Sequence, residues 1–191
     1  MQLVEVLTLN EDTRDGEELL EVIWGALKYF PGYTWESVNY RGNLDIGHHL
    51  EIERDSRRYG AFLVNRLVSH VRKLKKAFRT DALLLALTRD PVIITFFRFE
   101  SNVFRNVAGL VRDYVTDDVG MVSLFETDEE DGRRVAAHGL GHNRGLVHHE
   151  EPLGLMYVGL LDGLPIQTNG FCVECSDKLE KSASSLRKVG E

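Results

Sequence analysis

Residues 82–88 read Ala-Leu-Leu-Leu-Ala-Leu-Thr, an apolar run of strand length with no polar alternation. A strand that carries apolar side chains on both of its faces must be covered on both, which is the habit of sheets sandwiched between helices. The neighbouring sequence supplies candidates for the covering layers. Leu19, Ile23, Leu27 and Phe30 recur at helical spacing before Pro31-Gly32 stops the pattern. Residues 56–77 carry a second stripe, Tyr59, Leu63, Leu67, Val71 and Leu74, and predict a longer helix.

Other strands fall between these helices. Residues 3–9 alternate and are β-prone, residues 35–40 form a short strand with a turn over 41–45, and residues 92–99 resume a strand after Arg89-Asp90-Pro91. Residues 121–125 make a further strand. Residues 102–115 are ambiguous; Val103, Val107, Leu110 and Val111 would suit a short helix. An acidic loop, 126–131, leads into a helix over 132–146, and an exposed helix over 175–188 closes the chain. Strands interleaved with helices predict an α/β fold. The expectation is one compact domain over 1–191, with a mixed twisted sheet of about four or five strands packed with helices.

The chain has 191 residues, 43% hydrophobic and 28% charged, which is the balance of a globular protein with a proper core. A net charge of -7 argues against nucleic acid as a partner. The basic run Arg72, Lys73, Lys75, Lys76 and Arg79 lies on a helical pattern and reads as a solvated face. No apolar stretch reaches the roughly 18 residues of a membrane helix, and no secretory signal is visible, so a cytoplasmic location without membrane contact is expected. Cys172 and Cys175 are the only cysteines. Their spacing suits a metal or redox pair and not a disulfide framework.

The chemistry concentrates in His138-Gly139-Leu140-Gly141-His142-Asn143-Arg144-Gly145-Leu146-Val147-His148-His149. Four residues separate His138 from His142, so a helix puts both imidazoles on one face, one turn apart. Gly145 lets the helix end and turn, bringing His148 back as a third donor. Three neutral imidazoles leave a tetrahedral zinc one open position. His70 alone reads as part of its helix, and His48-His49 as structural or exposed.

This pattern, with Met156 downstream, resembles the metzincin signature H-E-x-x-H-x-x-G-x-x-H followed by a turn methionine. It is similar in particular to the archaemetzincins. There a cysteine follows the third histidine, another stands two residues before the methionine, and a C-x-x-C pair comes later. The resemblance covers nearly the whole chain and is strongest over 121–175. It implies a zinc metallopeptidase acting on a peptide or protein substrate, with His138, His142 and His148 on a catalytic-type zinc and Met156 in the Met-turn after the metal helix. It also implies a second, structural zinc held in part by Cys172 and Cys175, for one or two zinc ions per chain.

Two departures bear on function. Gly139 stands where the family has its general-base glutamate, and positioned acid–base catalysis is worth roughly 10²–10⁴-fold in rate. At the structural site, His149 replaces the first cysteine and Gly154 the second, leaving three donors, His149, Cys172 and Cys175. Glu150, Glu151, His48, His49 or water could complete that set. Three readings follow: a peptidase with impaired activity or a displaced base, an inactive zinc- or peptide-binding relative, and a structural metalloprotein with zinc only at the cysteine pair. Gly139 and Gly141 also predict a locally weakened metal helix, since an interior glycine costs about 1 kcal/mol against alanine.

Overall fold

The computed structural model describes residues 2–32, 34–100 and 103–187. Met1 and Glu191, the ends of the expected domain, lie outside the described residues, as do Asn102 of the ambiguous stretch and Lys188 of the expected tail helix.

Strand β1 (Gln2–Leu9) leads into helix α1 (Thr13–Leu27), and β2 (Trp35–Leu44) returns beside β1. A hairpin follows, β3 (Leu50–Arg54) and β4 (Arg57–Leu63), running directly into α2 (Val64–Phe78). Then come β5 (Leu83–Thr88), β6 (Val92–Glu100), β7 (Val103–Leu110), β8 (Asp113–Val115) and β9 (Val119–Ser123). Helix α3 (Glu129–Asn143) carries the histidine pattern, and α4 (Val173–Arg187) follows a long irregular segment.

The described strands form a five-stranded sheet, β2-β1-β5-β9-β8, and a four-stranded sheet, β3-β4-β6-β7. The first is mixed: β2, β1, β5 and β9 run parallel, and β8 pairs antiparallel with β9. Strand β5 is buried along its length and divides its side chains between two cores. Leu83, Leu85 and Leu87 pack toward Leu19, Ile23, Ala136 and Leu140 of α1 and α3. Leu84 and Ala86 pack toward Leu67, Val68 and Val71 of α2. The doubly covered strand expected from its composition is therefore present.

Several local expectations are corrected. The turn expected over 41–45 is strand as far as Leu44, because parallel pairing with β1 continues past Tyr40. Gly42, at φ 101, absorbs the register shift between Tyr40 and Asn43. The helix expected from residue 56 begins only at Val64. Tyr59 and Leu63 belong to β4, fixed by the two-residue turn Asp55-Ser56, in which both residues have positive φ. The ambiguous stretch 102–115, which would have suited a short helix, holds two strands, Val103–Leu110 paired with β6 and Asp113–Val115 paired with β9. The four-stranded sheet, absent from the sequence reading, takes in β4 and β7 from these corrections. Helix α3 starts and stops about three residues earlier than expected, and α4 buries Cys175 and Leu179, so it is not a purely exposed helix.

Candidate metal centre

Helix α3 is built to present its last turns. The Asp128 side chain accepts a hydrogen bond from the Asp131 amide at 2.9 Å, and Glu129, Glu130 and Asp131 fill the first turn. Acids there oppose the positive end of the helix dipole. This is what the acidic loop does. At the other end, the Gly145 amide donates to the His142 carbonyl at 2.9 Å and the Leu146 amide to the Gly141 carbonyl at 3.0 Å, with Gly145 at φ 76. That is a Schellman stop, and it turns the chain back toward the helix.

The turn brings His148 over the helix face that carries His138 and His142. The three residues' donor atoms lie within 4.8 Å of one another. His148 Nε2 is 3.0 Å from His142 Nε2 and 3.0 Å from His138 Nε2. His138 is buried, His142 intermediate and His148 exposed, so the cluster opens to solvent on the His148 side.

Proton placement shows what this geometry demands. His138 Nδ1 lies 2.7 Å from the Asp113 carboxylate and His142 Nδ1 lies 3.0 Å from the Leu146 carbonyl. Both partners accept, so both Nδ1 atoms carry the proton and both Nε2 atoms present lone pairs. His148 Nε2 can donate to one of them and not to both. In the neutral state one 3.0 Å contact therefore leaves a lone pair facing a ring nitrogen with no proton between them, an arrangement a shared cation relieves. Two nitrogens on a tetrahedral zinc stand about 3.3 Å apart, from Zn–N lengths of about 2.0–2.1 Å. Burial, then His138, holds the His142 pKa below 6.5; burial, then His138 and His142, does the same for His148. The residues fit a zinc ion.

A second cluster begins one residue later. His149, Cys172 and Cys175 also place their donor atoms within 4.8 Å of one another. His149 Nδ1 donates to the Glu151 carbonyl at 2.7 Å, which leaves Nε2 as the bare nitrogen. That Nε2 is buried with no hydrogen-bond partner. A buried polar atom without a partner is rare and asks for one. Burial, reinforced by Cys172, pushes the Cys175 thiol up to about 12. An imidazole lone pair facing two thiols is a zinc-type donor set.

Neither cluster includes a carboxylate, His48 or His49. His48 Nε2 pairs with Asp90 at 2.8 Å, and His49 Nδ1 accepts from the Leu63 amide at 3.0 Å, so both serve the loop around β4. Glu126 pairs with Arg54 at 3.1 Å. Gly154, at the second family cysteine position, lies against backbone: a Cβ there would fall 2.5 Å from the Gly170 carbonyl oxygen and 2.8 Å from the Cys172 amide. The chain has closed over the space a cysteine would need.

The helix glycines have steric reasons. A Cβ on Gly141 would stand 2.8 Å from Met156 Sδ, so the fully buried Met156 packs directly under α3. A Cβ on Gly139 would stand 2.8 Å from Val115 Cγ2 and 2.9 Å from Asp113 Oδ2. Asp113 was not singled out from sequence. It lies 25 residues from His138, on β8, and only sheet pairing brings the two together.

No family model and no curated protein sequence matches this chain. Solved structures do. An archaemetzincin from Methanopyrus kandleri superposes at a TM-score of 0.63, with 17% identity over 96% of each chain. The chain has the archaemetzincin fold. A zinc-dependent peptidase from Methanocorpusculum labreanum gives 0.53 at 17% identity, covering 92% of this chain and 99% of that one. Metalloproteinase-II from Bacteroides fragilis gives 0.51 at 11% identity, covering 95% of this chain and 53% of that one. At these identities the likeness is one of fold. Within the archaemetzincin fold, the three imidazoles lie on the last turns of α3 and the loop after it, beside the edge strand β8.

Proposed function

We propose that this chain is an archaemetzincin-type zinc protein that binds peptides at a three-imidazole centre and hydrolyses them weakly or not at all. The observation that carries the reading is the convergence of His138, His142 and His148, with two Nε2 lone pairs forced inward by the bonds at Nδ1. Zinc bound there would polarise a carbonyl and acidify a water, bringing its pKa to about 7. Met156, packed against Gly141, is the Met-turn residue of this reading. His149, Cys172 and Cys175 hold a second, structural zinc, for two ions per chain.

The residues around the centre define what it can do. Gly139 offers no carboxylate to take a proton from water or pass one to a leaving amine. Asp113 does not replace it. Its carboxylate bonds His138 Nδ1, the ring edge opposite the Nε2 that faces the cluster. The loss of a positioned base is worth roughly 10²–10⁴-fold in rate. Strand β8 has β9 as its one paired neighbour among the described residues, so its other edge is available to an extended peptide beside the imidazoles.

The test is metal analysis with peptide assays on the full chain. Two zinc ions per chain, peptide binding that a chelator abolishes, and hydrolysis slower than an ordinary peptidase by about 10²-fold or more are expected. Hydrolysis at ordinary peptidase rates overturns the impaired-base reading. One zinc per chain, lost on Cys172→Ser and unaffected by His148→Ala, leaves instead a structural metalloprotein with zinc only at the cysteine pair.

A further inference from the structure

We infer that Asp113 is the positioning residue of the three-imidazole centre, and that Gly139 is the gap that lets it stand there; the inference rests on the zinc-binding reading of that centre. The Asp113 carboxylate and the His138 ring meet at 2.7 Å with side-chain exposures of 5% and 1%. Such a carboxylate accepts one proton position only, Nδ1–H. Holding it there turns Nε2, bare, toward His142 and His148. An outer carboxylate of this kind fixes the tautomer and ring orientation of a metal-binding histidine and raises its basicity.

The geometry couples this role to position 139. The Cβ of any side chain there would fall 2.9 Å from Asp113 Oδ2 and 2.8 Å from Val115 Cγ2. Asp113 cannot retreat without losing His138, because strand β8 carries it against α3. That strand is anchored close by: the Asn143 side-chain amide donates to the Thr116 carbonyl at 2.8 Å and the Asp117 carbonyl at 3.2 Å. The carboxylate of this centre thus enters from the edge strand and not from the helix, and the two placements exclude each other. Gly139→Glu, which sequence alone suggests as a restoring change, instead pushes Asp113 off His138.

The experiment compares Asp113→Ala, Asp113→Asn, Gly139→Ala and the Asp113→Ala/Gly139→Ala double variant on the full chain, with His148→Ala as the control for the centre itself. Zinc affinity of each site is read by chelator competition. The His138 tautomer is read by long-range proton–nitrogen NMR after zinc is removed from the imidazole centre. Asp113→Ala should weaken zinc at the imidazole centre by about 10–100-fold, leave the thiol site unchanged and move His138 toward the Nε2–H tautomer. Asp113→Asn, the same shape with a neutral acceptor, should lose less; it decides the matter if the alanine variant does not fold. Gly139→Ala should weaken zinc in the parent chain and have little further effect once Asp113 is alanine. Affinity within about twofold of the parent in both Asp113 variants, with His138 unmoved, overturns the role of Asp113 while leaving the centre intact. If His148→Ala still binds two zinc ions, the three-imidazole reading falls, and the Asp113 inference with it.

Discussion

His148 and His149 are consecutive, yet they serve clusters of opposite character. The first cluster is all imidazole and open at His148, with the His142 and His148 pKa values lowered by burial and by neighbouring imidazoles. The second is one imidazole and two thiols, with the Cys175 proton held tightly by burial. The first ties together residues 138–148, which α3 and its Schellman stop already fix. The second spans 149–175 and joins α4 to a segment whose only described regular element is the short 3₁₀ turn Leu160–Asp162. The difference teaches that one donor chemistry suits exchange and the other suits fastening: an accessible site keeps a face for a ligand, and the thiol set ties α4 to a segment otherwise held by turns and by its buried Leu155, Met156 and Leu160.

The largest effect that would break this contrast is expected at Cys175→Ser. With free zinc a thousandfold above its dissociation constant, a bound ion contributes about 4 kcal/mol. For a chain of this length that is about 8–16 °C in melting temperature. Hydrogen exchange should show protection lost over 150–171 in this variant and retained in His148→Ala. If the two variants melt alike, the fastening role is not confined to the thiol site. His148→Ala should weaken zinc at the imidazole centre by more than about a hundredfold, since it removes a ligand and not an outer partner. Isothermal titration should then find one strong site where the parent has two.

A smaller effect is expected at Gly154→Cys. The family pattern invites a fourth thiol there, but its Cβ would meet the Gly170 and Cys172 backbone. We expect a loss of about 1–3 kcal/mol in urea unfolding and no gain in zinc affinity. Tighter zinc in that variant would show that the backbone yields.

The gentlest probe is pH. His142 and His148 have folded pKa values below 6.5, so the metal-free chain keeps their contribution above that value and loses it as pH falls through the lower folded values. Cys175 is raised from 9.0 to about 12, so its contribution is present below 9.0 and lost as pH rises toward 12. Melting temperatures of the metal-free chain should be highest between those limits. Zinc affinity should separate the sites further. Below its pKa, Cys175 must release a proton, so thiol-site affinity climbs by at least about tenfold per pH unit, while His142 and His148 add no such slope above 6.5. Parallel slopes would remove the chemical contrast.

Local spacing carried the legible part of this molecule. His138 and His142 share a helix face because they are four apart, Gly145 turns the chain because glycine accepts positive φ, and β5 is doubly covered because it has no polar side to expose. What escaped depends on pairing across distance. Tyr59 and Leu63 fit a helical stripe as well as they fit β4, and the turn at Asp55-Ser56 is the cue that separates the two. Asp113 sits in a stretch that suits either a helix or strands, and its partner 25 residues away is set by β8 lying beside α3. The tightness around Gly154 comes from residues 170–172, which no nearby spacing announces.

The placement of His148 and His149 also limits what the connecting loop can become. The His149 amide donates to the Met156 carbonyl at 3.1 Å and the Val158 amide to the His149 carbonyl at 3.1 Å, so the segment is pinned just beyond the point where its side chains diverge. Counted from Gly145, removing one residue before His148 would carry His149 to the first cluster and Glu150 to the second, and adding one would carry His148 to the second cluster and leave the first without its third imidazole. Exposed Val147 can be replaced freely, but the number of peptide bonds there cannot drift: this stretch keeps count, even where it does not care about letters.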